Sequence, residues 1–213
     1  MDVLLAAALG YLLGSIPFGY LLTRAAGLGD VRAQGSGNIG ATNVLRTGSK
    51  KLAAATLLLD LAKGFIPVWL AGQIWYDLAV ADPEPGLVVD YIVANPVSQS
   101  FAAAGAVLGH CFPVWLKFKG GKGVATNAGV CFGLAWPLGL TYALVWIGVL
   151  ATLRISSLAG MSAVVCAAIA AALLGYTAFV PVLVLIALLV IWLHRANIAR
   201  LAKGEEPKVG AKK

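Results

Sequence analysis

The sequence predicts an all-α integral membrane protein with seven transmembrane helices. Of its 213 residues, 60% are hydrophobic and 12% are charged, and the mean hydropathy is +0.88. Soluble proteins carry about 25% charged residues. The apolar residues form long continuous segments rather than the alternating pattern of a membrane barrel, so helices are the expected way of satisfying the backbone in lipid. We expect a single membrane domain over residues 1–213, with a flexible tail from about residue 204.

Five segments are long enough to be single spans, because a helix needs about 20 apolar residues to cross ~30 Å of hydrocarbon. The first segment has neither the basic start nor the small-residue cleavage site of a signal peptide, so we interpret it as a span that stays in the protein. The predicted single spans are Val3–Thr23, Leu52–Tyr76, Val97–Leu116, Ile155–Leu174 and Thr177–Leu193.

The apolar stretch Val124–Leu153 is predicted to form a hairpin of two short helices. Lys122 and Arg154 flank it, and basic flanks at both ends indicate that both ends face the cytoplasm. Two helices of about 15 residues would each be roughly 22 Å long, and Trp136–Pro137 near the middle suits a turn. The alternative is one long helix, which would place Arg154 and the basic C-terminal tail outside.

The distribution of basic residues predicts the orientation. Lysine and arginine follow the first and third spans and fill the C-terminal tail, whereas the acidic loop Asp77–Pro96 has neither. Because basic loops face the cytoplasm, we expect the N-terminus and the acidic loop outside. The C-terminus and three polar segments, at residues 35–46, 109–127 and 194–206, are expected at the cytoplasmic face.

The first polar segment is rich in glycine and short polar side chains. Gly35, Gly37 and Gly40 permit close backbone approach, and Arg46 carries a planar guanidinium suited to phosphate. A helix that starts near Gly40 would add free N–H groups for an anion, although an ordinary flexible loop is the alternative. The polar candidates for substrate binding here are Ser36, Asn38, Thr42 and Asn43.

The second polar segment places Lys122 between glycines at the start of an apolar helix. It resembles a phosphate-binding loop but lacks the pattern G-x-x-x-x-G-K-[ST], so nucleotide hydrolysis is rejected. Lys122 remains a suitable point charge for phosphate. The accompanying candidates are Gly120, Gly121, Gly123 and Thr126.

The third polar segment places His194 and Asn197 on one helix face at i and i+3, where the last span ends. Interfacial decoration is the alternative for His194, and His110 is interpreted as mostly structural. Ser156 and Ser157 either join the polar segments or cap a helix.

Two charged residues, Asp60 and Lys63, lie inside the second span. Intramembrane charges are usually paired or functional, and we expect a structural ion pair, with support of the site as the second interpretation. The cysteines Cys111, Cys131 and Cys166 are isolated and predicted to be buried apolar side chains. No metal-ligand spacing is present, so neither a metal nor a cofactor is expected.

The polar segments contain groups suited to phosphate but no nucleophile–base triad and no paired catalytic carboxylates. The His-x-x-x-x-Asp signature of many acyltransferases is also missing, because Trp115 follows His110 and Ala199 follows His194 at that spacing. A reaction at these residues would need little acid–base assistance, or the protein would only bind its ligand. A transporter of a phosphorylated metabolite is therefore the alternative to an enzyme.

Several long motifs in a fixed order cover nearly the whole chain. They are GSIPFGYLL from residue 14, GSGNIGATNVLR from 35, the Asp60–Lys63–Gly64 element, GHCFPVWLKFKGGKGVAT from 109, RISSLAG from 154 and HRANIARLAKGEE from 194. Together they resemble the acyl-phosphate-dependent glycerol-3-phosphate acyltransferase (PlsY) family of bacterial membranes. The resemblance implies transfer of a fatty acyl group from acyl-phosphate to the 1-hydroxyl of glycerol 3-phosphate, the first acylation step of phospholipid synthesis. The products would be lysophosphatidic acid and phosphate.

The resemblance also implies a bacterial inner-membrane location and a functional link to a soluble enzyme that makes acyl-phosphate, with no nucleic-acid partner. On this basis the catalytic group would be Lys122, His194 and Asn197, with the last two orienting the attacking hydroxyl. Arg46, Lys122 and Ser157, or Ser156 in its place, would hold the phosphate of glycerol 3-phosphate. The acyl-phosphate would be cradled by Gly35, Ser36, Gly37, Asn38, Gly40, Thr42 and the Gly120–Gly123 turn.

Overall fold

The structure, a computed structural model, describes residues 3–81 and 96–210, and within these ranges it contains helices and no strands. The helices are α1 (Val3–Gly14), α2 (Phe18–Ala25), α3 (Ala41–Leu45), α4 (Lys50–Ala81), α5 (Pro96–Cys111), α6 (Val124–Leu134), α7 (Trp136–Leu153), α8 (Ser156–Leu173), α9 (Val180–Leu193) and α10 (Arg195–Ala202). Short 3-10 turns occupy Val31–Ala33, Val114–Leu116 and Thr177–Phe179. Most of the predicted acidic outer loop lies outside the described residues.

Four helical segments within the described ranges are long and apolar enough to cross a membrane. They are Val3–Ala25, Lys50–Gln73, Trp136–Leu153 and Ser156–Leu173. The pair α9 and α10, bent by 59°, would make a fifth. The prediction of an all-helical fold is confirmed for the described residues, whereas the count of seven spans stays a prediction.

The predicted first span is not one continuous helix. It breaks between Gly14 and Phe18, because Pro17 has no N–H to donate and disfavours the helical conformation of the residue before it. The polar backbone groups freed by this break find partners inside the protein: the Lys63 ammonium donates to the Ile16 carbonyl at 2.7 Å. Irregular backbone at membrane depth is tolerated where protein buries it in this way.

The stretch 124–153 is divided at Ala135, which is extended at φ −162° and ψ 135°. The break lies beside the predicted turn at Trp136–Pro137. The Tyr142 hydroxyl donates to the Val124 carbonyl at 2.8 Å, so α7 lies against the start of α6. The two helices have 11 and 18 residues rather than about 15 each. The stretch is therefore not one long helix, and its two membrane crossings stay a prediction.

Close helix contacts at glycines hold the bundle together. In α1, a Cβ at Gly10 would lie 2.2 Å from the Ala102 carbonyl oxygen of α5, and one at Gly105 of α5 would lie 2.2 Å from the Ala7 oxygen. In α4, a Cβ at Gly64 would lie 2.0 Å from the Thr126 oxygen of α6. Small residues that let backbones approach are the usual means of helix association in lipid. The contact between Gly64 and Thr126 fixes the start of α6, which directly follows Lys122 and its glycines.

The third predicted span is shorter than expected, because α5 ends at Cys111 and a 3-10 turn follows Pro113. The apolar core lies mainly among α5, α6, α8 and α9, with Tyr142 and Leu138 of α7 fully buried against them. The start of α6, the start of α8 and the end of α9 consequently meet at one end of the bundle.

Candidate active site

The Lys122 side chain links two of the three polar segments, because its ammonium donates to the Oδ1 atom of Asn197. Ser157, His194, Arg200 and Glu206 complete this group, which we call the polar cluster: Lys122, Ser157, His194, Asn197, Arg200 and Glu206. The cluster forms where α6 and α8 begin and α9 ends.

The pKa of Lys122 is lowered to about 8, first by burial and then by the positive charges of Arg200, Arg195 and Arg46, while Glu206 opposes the shift. The lysine therefore still carries most of its charge at neutral pH. The influence of Arg46 on Lys122 also shows that the first polar segment lies close enough to act on the second. A half-buried cation among other cations is a strong attractor for an anionic ligand.

The corner between α9 and α10 presents His194 and Asn197, which are 3% and 7% exposed. The Nδ1 atom of His194 lies 2.7 Å from the Val190 carbonyl oxygen. Because a carbonyl only accepts, Nδ1 carries the proton, and in the neutral ring Nε2 is then the acceptor. The corner thus offers one oriented acceptor beside the Lys122–Asn197 contact.

Glu206 is the site residue that sequence reasoning missed. Its carboxylate accepts hydrogen bonds from Ser157 Oγ at 2.7 Å, Asn197 Nδ2 at 2.5 Å and Arg200 Nε at 2.7 Å. Burial alone would raise the pKa of Glu206, but these three donors outweigh burial and lower it.

The tail was expected to be flexible from about residue 204, but its described part is held against the bundle. Beyond Glu206, the Val209 N–H donates to the Arg154 carbonyl at 2.7 Å, and the Arg154 guanidinium donates to the Val209 carbonyl at 3.0 Å. Residues 204–210 therefore close over the start of α8. Of the two predicted serines, Ser157 is buried and bonds Glu206, whereas Ser156 is half-buried.

The first polar segment, residues 35–46, forms a loop that we call the glycine loop. Within it, the Asn43 side chain braces the backbone through several hydrogen bonds. Its Oδ1 accepts from the Ser36 N–H at 3.0 Å, and its Nδ2 donates to the carbonyls of Asn38 at 2.7 Å and Val31 at 2.8 Å. With these partners, and at 1% exposure, Asn43 shapes the loop, and its predicted contact with substrate stays a prediction.

The exposed members of the glycine loop face outward around Arg46. Gly35 and Gly37 have positive φ angles of 57° and 70°, which only glycine adopts without strain. A Cβ at Gly35 would lie 2.9 Å from Arg46 Nη1, so the guanidinium is packed over the loop. Ser36 and Thr42 are exposed, Asn38 is half-buried, and Gly40 precedes α3 with open space beside it.

The Gly120–Gly123 turn offers fewer free N–H groups than predicted. The Gly120 N–H donates to Cys111 and the Gly121 N–H donates to His110, at 3.1 and 3.0 Å. Gly123, at φ +84°, begins α6, whose first-turn N–H groups have no partner within the helix. The predicted phosphate cradle thus narrows to Lys122 and the start of α6.

The predicted binding residue Thr126 lies in the first turn of α6. It is fully buried against α4, where the neighbouring position is Gly64. Its predicted contact with substrate stays a prediction. Among the described residues, no group of three or more His, Cys, Asp or Glu side chains is placed to hold a metal ion.

These features define a class: a helical, multi-pass integral membrane protein with a cationic cluster at one end of its bundle. A family model described as glycerol-3-phosphate acyltransferase matches residues 4–204. The chain belongs to this family, which confirms the resemblance carried by its motifs.

The relatives are similar over their whole length. The chain is 61% identical to a glycerol-3-phosphate acyltransferase of Erythrobacter litoralis (strain HTCC2594), covering 100% of this chain and 98% of that one. It is 52% identical to the enzyme of the same name from Mesorhizobium japonicum, covering 99% and 97%.

The fold is shared with crystal structures of PlsY (YgiH), an integral membrane glycerol 3-phosphate acyltransferase. The glycerol 3-phosphate form matches with a TM-score of 0.84 at 37% identity, covering 98% of this chain and 96% of that chain. The lysophosphatidic acid form matches with a TM-score of 0.81 at 36% identity, covering 98% and 95%.

Proposed function

We propose that this protein transfers a fatty acyl group from acyl-phosphate to the 1-hydroxyl of glycerol 3-phosphate. The products are lysophosphatidic acid and inorganic phosphate, in the first acylation step of phospholipid synthesis. The observation that carries the proposal is the polar cluster, in which Lys122 and Asn197 meet beside His194. The two PlsY crystal forms support it, because lysophosphatidic acid is glycerol 3-phosphate with one acyl group added.

The phosphate of glycerol 3-phosphate would be bound by Lys122 and Arg46, with Ser157 close by. Charge-assisted hydrogen bonds to phosphate are shorter and about twice as strong as neutral ones. The start of α6 adds N–H groups and the positive end of a helix. Two cations together with a helix start suit a doubly charged phosphate better than a single cation would.

The attacking hydroxyl would be oriented by His194 and Asn197. The Nε2 atom of His194 can accept from the hydroxyl, because Nδ1 already donates to Val190. Oriented this way, the oxygen attacks the acyl carbonyl carbon, the bond from that carbon to the phosphate oxygen breaks, and phosphate leaves. The hydroxyl proton passes to a phosphate oxygen, which balances the charge without a strong protein base.

Acyl-phosphate as the donor is supported by the chemistry that the polar cluster lacks. The polar cluster contains no cysteine, and its one serine, Ser157, donates to the Glu206 carboxylate. The hydrogen bonds to Glu206 lower the pKa of that carboxyl, which makes it a poor base for activating a hydroxyl. A mixed anhydride has a good leaving group and needs positioning and charge stabilisation above all. We further propose that Gly35, Gly37, Gly40, Ser36, Asn38 and Thr42 receive the phosphate of this donor.

The acyl chain would lie in a groove beside α4. This groove of about 180 Å³ is lined by Lys63 and by apolar side chains that include Ile16, Leu59 and Ile66. It begins at the break between α1 and α2, where Phe18 also lines it. The next residue, Gly19, packs against the Ile39 carbonyl of the glycine loop. A donor whose phosphate sits on that loop would therefore enter the groove with its chain.

The remaining parts of the proposal concern the cell. We propose a bacterial inner-membrane location with the N-terminus outside and the polar cluster at the cytoplasmic face, as basic loops favour. A soluble enzyme that makes acyl-phosphate would supply the donor from that side.

The test uses the purified full-length protein in proteoliposomes, supplied with radiolabelled glycerol 3-phosphate and either acyl-phosphate or acyl-CoA. We expect labelled lysophosphatidic acid with acyl-phosphate only, and loss of product in Lys122→Ala and Asn197→Ala. Product formed equally well from acyl-CoA would overturn the donor assignment. Label that enters the vesicle lumen as unchanged glycerol 3-phosphate, without product, would instead support the transporter.

A further inference from the structure

Three buried charged or titratable side chains lie within helices close to the Gly120–Gly123 turn. Asp60, Lys63 and His110 are 1%, 3% and 3% exposed. The Lys63 ammonium lies 2.8 Å from Asp60 Oδ1, and His110 Nδ1 lies 3.7 Å from the same oxygen. We call these three residues the buried triad. Lys63 also lines the groove proposed for the acyl chain, but the proposed reaction gives none of the three a contact with the reacting atoms.

On one side, the buried triad reaches the break between α1 and α2. Lys63 donates to the Ile16 carbonyl at 2.7 Å and lies 5.6 Å from the centre of the Phe18 ring. The residue after Phe18 is Gly19, where a Cβ would lie 1.9 Å from the Ile39 carbonyl oxygen. Lys63 therefore contacts the break before α2, and the start of α2 packs against the glycine loop.

On the other side, the buried triad supports the turn that carries Lys122. A Cβ at Gly121 would lie 2.0 Å from His110 Nε2, so the turn rests directly on the imidazole ring. The Gly121 N–H donates to the His110 carbonyl at 3.0 Å. The ring and the backbone of His110 therefore both fix Gly121, and Lys122 is the next residue.

A buried ion pair contributes little net stability, because removing both charges from water offsets their attraction. The three side chains are packed together, however, and they lie between the supports of two separate anion-binding segments. We propose that Asp60, Lys63 and His110 are positioning residues that hold the glycine loop and Lys122 at the correct separation for two phosphate-bearing substrates. His110 acts on Lys122 through Gly121. This inference rests on the proposed function.

The first test replaces both charges of the pair together, as Asp60→Leu/Lys63→Met. A single replacement would leave an unpaired buried charge and is expected to unfold the protein, whereas a double replacement with apolar residues is often tolerated. We expect a folded, monodisperse protein whose KM for glycerol 3-phosphate rises roughly tenfold or more, since small misplacements in a site cost up to about 100-fold. A folded double variant with wild-type KM and kcat would overturn the proposal.

The KM value separates positioning from stability, because partial unfolding lowers the amount of active protein but leaves KM unchanged. The matched control is Gln99→Leu, on the same helix as His110. Gln99 is also buried, at 5% exposure, and bonds the Gly133 carbonyl at 3.3 Å. We expect Gln99→Leu to change thermal stability and to leave KM unchanged.

A second test remains decisive if the double replacement does not fold. It is a double-mutant cycle of His110→Ala and Gly121→Ala, measured as kcat/KM. Both single variants should lose activity. Because the alanine methyl at 121 would occupy the space of the ring, the combined variant should lose far less than the product of the two single losses. Losses that multiply would show two independent sites and contradict the proposal.

The outcomes also separate this inference from the proposed function. Wild-type protein that makes no lysophosphatidic acid from acyl-phosphate defeats the proposed function. Active wild-type protein together with unaffected variants of the buried triad defeats only the inference drawn here.

Discussion

The charge of Lys122 should set the upper pH limit of glycerol 3-phosphate use. Its pKa is lowered to about 8 by burial and by neighbouring arginines, so raising the pH through 8 removes the cation that the substrate phosphate requires. At pH 9 about one tenth of the lysine is still protonated, and kcat/KM should fall about tenfold between pH 7 and pH 9 if only the charged form binds. The alkaline decrease of kcat should occur at higher pH than that of kcat/KM, because a bound phosphate favours the charged lysine.

The matched variant is Lys122→Arg, which keeps its charge throughout this pH range. Its overall activity should be lower, because the guanidinium does not fit the contact with Asn197 in the same way, but its profile should stay flat to pH 9. Lys122→Met should lose roughly 10- to 150-fold in kcat/KM, the equivalent of one charge-assisted hydrogen bond of about 1.5–3 kcal/mol. The assay is the initial rate of lysophosphatidic acid formation, with spontaneous acyl-phosphate hydrolysis subtracted. A wild-type profile that is flat from pH 7 to 9, or an identical alkaline decrease in Lys122→Arg, would show that the charge of Lys122 does not set this limit.

Three further predictions concern the tail, the glycine loop and the groove. Glu206→Ala should lower the thermal midpoint in detergent by an amount equivalent to about 1–3 kcal/mol, because three donors lose their acceptor. Since the folded pKa of Glu206 is lowered, this contribution is present at neutral pH and is lost as the pH falls through that folded pKa. A difference in thermal midpoint between wild type and Glu206→Ala that is the same at low and at neutral pH would contradict this role. Asn43→Ala should raise the KM for acyl-phosphate through loss of the bonds that shape the loop, and an unchanged KM would contradict its role as a brace. Ile66→Trp should raise KM for long-chain but not short-chain acyl-phosphates by filling the groove, and equal effects on both would place the chain elsewhere.

Much of the fold class could be predicted from the sequence, because hydropathy reports directly on the solvent that surrounds a helix. Helix breaks were harder to place. The break before Phe18 was missed because apolar residues continue through it, although Pro17 was a usable signal. The break at Ala135 was expected nearby, because the basic residues at both ends of the stretch demanded it.

The candidate site was predictable as a set of segments but not as a set of contacts. Lys122 and Asn197 were both identified, and their hydrogen bond joins residues far apart in sequence, which local patterns do not encode. Asn43 was predicted to bind substrate, but a short polar side chain in a glycine loop can also brace the loop. The sequence does not distinguish these two roles. Glu206 was missed because an exposed charge near a chain end usually belongs to a mobile segment.

The central claim is direct transfer from acyl-phosphate to glycerol 3-phosphate in one site with positioned cations. The most direct measurement supplies acyl-phosphate labelled with ³²P together with unlabelled glycerol 3-phosphate to the purified protein in lipid. We expect all released label to be inorganic phosphate, formed in equal amount to lysophosphatidic acid and only when glycerol 3-phosphate is present. Phosphate release without glycerol 3-phosphate and with acylated protein, or label that enters the lipid, would contradict it.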